Sequence, residues 1–229
     1  MTDIAVPEDL EPLIYTVNGL DDLRDNPNVR IKPMFRSGDN KNYLVTGDLA
    51  TIYDINPLYG KGIDGTGQKI TVVGQSGVKI SDVRTYRAQF GLPANDQTAI
   101  LVPGYPDPGV TGDQGEGTVA LKIAGAIAPN ATLLYVYSST VFYAEQYAVD
   151  QNLATVLSSN FSICETNFVP YPSERDAYRL LVQQANAQGI TYVALTGDTG
   201  PASCETQRKD AAGLNGINVM SVCPPRFRK

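Results

Sequence analysis

Apolar, β-branched runs recur along the chain and alternate with amphipathic stretches, which confines it to a small group of folds. The runs are KITVVGQ (69–75), TAILVPG (98–104), ATLLYVY (131–137), TVLSSNF (155–161) and ITYVALTG (190–197), with a last short one, INVMSV, at 217–222. Between them the apolar residues take helical spacing: SDVRTYRAQFG (81–91), EGTVALKIAGAIA (116–128), VFYAEQYAVDQ (141–151) and SERDAYRLLVQQANAQG (173–189). A further short helix, DLATIYDI (48–55), precedes the first strand, with Asp48 near its cap. Ser81 or Asp82 is expected to cap the first of the four, Gly91 to close it, Pro129 to end the second, and Ser173 to cap the last, with Glu174 in its first turn. Strands that are apolar throughout, without alternation, are covered on both faces. The expectation is therefore an α/β fold, a three-layer sandwich around a mostly parallel sheet with right-handed crossovers. In such folds functional residues gather at the carboxyl ends of the strands.

Residues 1–42 read as a separate leader. VPEDLEPLIYTVNGLDD has room for a short helix and a turn, and DNPNVRIKPMFRSGDNKN is a polar linker broken by Pro, Gly and Asn. Its tip, Ser37-Gly38-Asp39-Asn40, suits proteolytic nicking. The domain proper is expected over 43–229. The start, MTDIAVPEDL, has no apolar core and does not read as a signal peptide. No run reaches the ~18 apolar residues of a membrane span.

Composition narrows the chemistry. Hydrophobic residues make up 42% and charged residues 18%, the profile of a chain that can fill a core. The net charge of −6 argues against nucleic acid, because phosphates need clustered Lys and Arg. The same charge serves either solubility or work at low pH. Histidine is absent, which excludes a Ser-His-Asp triad, a Cys-His dyad and His-ligated zinc. Acid–base work falls to carboxylates, Lys, Tyr or Cys. Cys164, Cys204 and Cys223 lack C-x-x-C spacing; Cys164 and Cys204 either pair or remain ordinary buried thiols.

Several motifs stand out. Gly60-Lys61-Gly62-Ile63-Asp64-Gly65 matches G-x-G-x-x-G, but it precedes a strand where a dinucleotide fingerprint must follow one, so it reads as a surface loop. Gly112-Asp113-Gln114-Gly115-Glu116 leads into a helix rich in small residues, with Glu116 in the first turn, where the helix dipole favours an anion. By itself that is an ordinary first-turn glutamate. Thr196-Gly197-Asp198-Thr199-Gly200 ends a buried strand. Asp198 is either part of an Asp-Gly turn or an acid kept protonated at the catalytic rim. Asn130-Ala131-Thr132 and Asn160-Phe161-Ser162 are glycosylation triplets, which arise often by chance.

Taken together, these pieces resemble the sedolisins, the serine-carboxyl peptidases. The stretches that carry the resemblance are YLVTGDLATIYDINPLYGKGIDGTGQKITVVGQS, FGLPANDQTAILVPG, AGAIAPNATLLYVY and QGITYVALTGDTG, in that order, and the likeness runs to about Val219. VPEDLEPLIYTVNGLDD is similar to the end of the family's activation propeptide. The resemblance implies a subtilisin-like fold, secretion, a peptide or protein substrate, and acid-active endopeptidase chemistry. In that family a Glu and an Asp one helical turn apart form the base system for a serine in a G-T-S-A-type motif, and an S-G-D-S-G-type Asp helps to stabilise the oxyanion.

Carried over position by position, Glu116 matches the catalytic Glu and Asp198 the oxyanion Asp. The second carboxylate should stand at position 120, which is Ala120; Lys122 and Ile123 replace an acidic residue and an aromatic. Asn160-Phe161-Ser162 replaces a Ser-Tyr-Gly-type stretch of the substrate cleft. The chain stops at Lys229 before any nucleophile motif, and SVCPPRFRK departs from the family. Ser76, Ser158 and Ser203 have no nucleophile context.

The expectation is a C-terminally truncated, diverged peptidase domain that does not cleave alone. It carries no cofactor, because the family's calcium site belongs to the missing part, and a separate C-terminal half is a candidate partner. The alternative is a non-catalytic peptide-binding or partner domain that keeps the cleft. An unrelated nucleotide or sugar binder is disfavoured by the misplaced glycine motif.

Overall fold

The computed structural model describes residues 46–163 and 168–195. The leader at 1–42, Asp198, Ser203, the three cysteines and the strand expected at 217–222 lie outside the described residues. Five strands form one sheet: β1 (Lys69–Gly74), β2 (Thr98–Leu101), β3 (Thr132–Tyr137), β4 (Val156–Ser159) and β5 (Thr191–Ala194). Six helices accompany them: α1 (Thr46–Ile52), α2 (Asn56–Tyr59), α3 (Ile80–Gln89), α4 (Gln114–Ile127), α5 (Val141–Asp150) and α6 (Pro172–Ala187). The strand order is β2-β3-β1-β4-β5 and every pairing is parallel. The α/β expectation holds.

Helices cover both faces of the sheet. On one face Val72, Leu133 and Tyr135 pack against Val83 of α3 and Ala120 and Leu121 of α4. On the other, Val73, Val136 and Leu157 meet Val141, Ala144 and Ala148 of α5 and Leu181 and Ala185 of α6. Successive residues of β1 thus serve opposite cores, the period-2 consequence of the pleat. This double covering is why each strand reads as unbroken apolar sequence.

One expectation about the connections fails. The chain moves toward the β2 edge through α3, then toward the β5 edge through α4, α5 and α6. Helices α5 and α6 lie on one face, whereas α3 and α4 share the other. Three crossovers therefore have one hand, and β2–α4–β3 has the opposite hand. Crossovers in parallel sheets are right-handed almost without exception, so the α4 crossover is the left-handed one. The long segment 102–113 between β2 and α4 runs over the carboxyl rim and brings α4 back to the α3 face.

Two caps also differ from expectation. Lys79 precedes α3 without a side-chain cap bond, and α6 begins with Pro172 at its first position, so Ser173 is inside the helix. Gly91 does close α3, with φ of 64°. The glycine-rich stretch at 60–65 is a loop before β1, as expected. Gly65, at φ of 92°, has no room for a side chain, since a Cβ would stand 2.9 Å from that of Ala128.

Candidate active site

The carboxyl end of β1 and the amino end of α4 meet at the rim of the sheet. After Gly74 the chain continues through Gln75, Ser76 and Gly77, all buried. Gln75 Nε2 donates to Asp113 Oδ2 at 3.0 Å, which ties β1 to the residue that precedes α4. Thr111 N donates to Ser76 Oγ at 2.9 Å, and Ser76 Oγ donates to Gly77 O at 2.9 Å. Gly77 N donates to Gly109 O at 2.7 Å. The 102–113 segment is thus fastened to β1 at several points. The Ser76 hydroxyl takes part in this fastening both as donor and as acceptor.

Tyr135 locks the same junction from below. Its ring enters a slot between Gly74 of β1 and Gly117 of α4, and its hydroxyl donates to Ser76 O at 2.7 Å. A Cβ at Gly117 would lie 2.7 Å from the ring. Burial, then the charges of Tyr137 and Asp113, push the Tyr135 phenol far above its ordinary value, so it stays neutral.

Glu116 sits in the first turn of α4 and is only 4% exposed. The positive end of the helix dipole stabilises its carboxylate there. Asp113, at the α4 N-cap position, places a second acid three residues earlier. One turn beyond Glu116, Ala120 is 8% exposed and belongs to the apolar cluster of Val72, Val83, Leu121, Leu133 and Tyr135. The position where the resemblance calls for a carboxylate is therefore occupied by a core methyl. An Asp there would enter an apolar contact surface, which costs several kcal/mol, roughly, unless it is paired.

The remaining site residues divide clearly. Phe161 and Ser162 are buried just past β4, so Asn160-Phe161-Ser162 is a strand-end segment of the interior and no exposed glycosylation loop. Asn130 is exposed, but its Nδ2 donates to Asp64 Oδ2 at 2.7 Å. Ser158 lies within β4. Among the described residues no group of three His, Cys, Asp or Glu side chains is placed to hold a metal ion. No described helix is long and apolar enough to cross a membrane.

Sequence reasoning brought Glu116 to the rim but missed Gln75, Asp113 and Tyr135. Gln75 and Asp113 had an available signal: one follows an apolar strand, the other precedes a helix, and both places belong to the carboxyl rim. Tyr135 had none.

Comparison with known proteins fits this architecture. A solved structure of similar fold is a Pseudomonas sedolisin, described as a serine-carboxyl proteinase complexed with two molecules of pseudo-iodotyrostatin. The TM-score is 0.55 and the identity 21%, over 61% of this chain and 41% of that one. The chain thus spans about two fifths of that protein. No protein-family profile matches the chain, and no curated protein sequence does. What the likeness establishes is the fold: a parallel α/β sandwich of the subtilisin-like kind.

Proposed function

We propose that this chain is a diverged domain of serine-carboxyl peptidase ancestry that does not hydrolyse peptide bonds by itself. The observation that carries the proposal is Ala120, buried in the apolar cluster one turn after Glu116. A carboxylate base system needs two acids on one helix face, so that one can polarise the other. Here Glu116 is kept and its partner is a methyl group. In this reading Glu116 is the relic of the pair and Asp198 the oxyanion acid. Members of such a unit act together, and loss of one typically costs several orders of magnitude in rate. The sedolisin-like fold supports the ancestry.

The ordered rim favours a second reading, a peptide-binding domain that has kept its cleft. Gln75, Ser76, Thr111 and Asp113 hold the β1–α4 junction rigid through hydrogen bonds within the chain. Rigid junctions at a sheet's carboxyl rim are places where ligands bind.

Both readings are open to experiment. The purified chain should release no fragments from a denatured protein substrate at about pH 3–5, where carboxylates exchange protons most readily. Cleavage that disappears on Glu116→Gln would overturn the first reading. A peptide mixture that gives no binding heat by calorimetry would overturn the second.

A further inference from the structure

Asp107-Pro108 is the one Asp-Pro bond of the chain. It lies on the segment that joins β2 to α4, and Asp107 is exposed to water. Asp107 Oδ1 accepts the Gly109 N–H at 2.8 Å. The ring that this hydrogen bond closes runs through Cγ, Cβ, Cα and C of Asp107, then through N, Cα and C of Pro108 to the Gly109 nitrogen. It therefore contains the Asp107–Pro108 peptide bond. The carboxylate is kept folded back along the bond that follows it, and Gly109 turns the chain there with φ of 65°. The ion pairs found among the described residues, Arg84–Asp96, Arg175–Asp176 and Arg179–Asp176, involve other acids.

Both flanks of this bond are tied to the body of the domain. Before it, Val102 N donates to Tyr137 O at 3.0 Å, and the Tyr105 ring stacks on Tyr143 of α5 with centroids 4.2 Å apart. After it, Gly77 N donates to Gly109 O at 2.7 Å, and Thr111 N donates to Ser76 Oγ at 2.9 Å. A cut here would leave β1 and β2 on one piece and β3, β4 and β5 on the other. In the order β2-β3-β1-β4-β5 the strands of the two pieces interleave. The pairings β1–β3, β1–β4 and β2–β3 would all join one piece to the other.

We propose that the Asp107–Pro108 bond is an acid-triggered self-cleavage site, cut by the Asp107 carboxylate, and that the product is a two-piece form held together by its sheet. The inference rests on neither reading of the Glu116 site. A carboxylate oxygen of Asp107 attacks the Asp107 carbonyl carbon, and the new C–O bond closes a cyclic anhydride. The C–N bond to Pro108 breaks. Its electron pair stays on the Pro108 nitrogen, which takes a proton from hydronium and leaves as a secondary amine. Water then opens the anhydride, which gives Asp107 a free α-carboxylate and restores its side chain. One water is consumed, and nothing is oxidised or reduced. The competing route at other Asp bonds is attack by the next backbone N–H on the side chain, and Pro108 has no N–H. Holding the carboxylate beside its target removes part of the entropy cost of attack. The step needs an ionised carboxylate and a proton for the leaving nitrogen, so its rate should rise as pH falls toward about 4 and level off below.

The test uses the whole chain, held for days at the lowest pH where circular dichroism still shows it folded, and sampled by denaturing mass spectrometry. The expected products are residues 1–107 and 108–229, whose masses sum to that of the parent plus one water. On size-exclusion chromatography in native buffer they should elute together, at the parent's volume. Loss of the parent should be first order and independent of protein concentration, which separates it from a contaminating peptidase. The same chain in urea at the same pH should nick about tenfold more slowly, because the unfolded carboxylate is free to turn away. Asp107→Glu keeps the acid but needs a larger ring, and should slow the cut about tenfold or more. Asp107→Asn keeps the acceptor for Gly109 N, removes the nucleophile and should leave the chain whole. A folded chain that stays intact, a cut at another bond, nicking as fast in urea as in the fold, or a cut that survives Asp107→Asn would overturn the site. Pieces that separate on the column would overturn the two-piece form.

Discussion

A single tyrosine fixes how α4 meets β1. The Tyr135 ring fills the slot that Gly74 and Gly117 leave open, and its hydroxyl satisfies the Ser76 carbonyl. Gly→Ala inside a helix ordinarily stabilises by roughly 0.5–1 kcal/mol. Gly117→Ala should do the opposite and lower stability by about 1–3 kcal/mol, because the new methyl overpacks the ring. Gly47→Ala is the control: it lies in α1, a Cβ there meets nothing within 4 Å, and the ordinary stabilisation should appear. Urea denaturation midpoints read both; a stabilising Gly117→Ala would show that the slot is slack. The sequence holds no trace of this lock. Gly117 reads as one small helical residue among several, and Tyr135 as an aromatic in an apolar run, more than fifteen positions apart. Glu116 was legible only because the resemblance assigned it a role, and Ala120 became informative only against that role.

At the scale of elements, the strands were legible because double burial makes each a continuous β-branched run. All five lie inside the ranges read from sequence and are shorter than those ranges. Helices were legible from spacing, but α6 starts at Pro172, since proline suits the first helical position, and Ser173 therefore lies inside the helix. Strand order and the left-handed α4 crossover were not legible, since local patterns fix which face is apolar and not which neighbour it finds. That crossover requires α4 to be held at both ends. Tyr135 and the Gln75–Asp113 bond hold the first end. At the other, Arg87 of α3 donates to Pro93 O at 2.8 Å, Gly125 O at 3.0 Å and Pro129 O at 2.7 Å. Arg87→Met should cost about 3 kcal/mol, from three carbonyls left without their donor at roughly 1 kcal/mol each. Arg87→Lys should cost less, as a single ammonium cannot span all three. Hydrogen exchange should quicken first in the last turn of α4; uniform quickening would mean that Arg87 supports the whole domain and not this helix end.

For the molecule as a whole, stability should fall on both sides of neutrality, for opposite reasons. Asp64 accepts from Thr66 Oγ1 at 2.6 Å, Thr66 N at 3.0 Å and Asn130 Nδ2 at 2.7 Å, and these bonds hold its pKa below the usual 3.8. Asp96 accepts from Arg84 Nε and Nη2, each at 2.7 Å, with the same effect. A carboxylate whose folded pKa is depressed stabilises the fold above its unfolded pKa and loses that contribution as pH falls through the folded value. Tyr59, Tyr86 and Tyr137 have the reverse sign: burial raises each above 10.0, so their contribution is complete below that pH and is lost above it. Thermal midpoints should therefore be flat from about pH 5 to 9 and drop beyond each limit. The double variant Asp64→Asn/Asp96→Asn should melt below the parent chain at pH 7, and the two curves should converge only as the pH falls through the depressed folded pKa values, where the parent's acids become protonated as well. A gap that persists below those values would mean that shape, not charge, supplies the contribution. The acid limb also governs how a peptidase assay at pH 3–5 is read: silence is evidence about Ala120 only where circular dichroism in the same buffer shows the chain still folded.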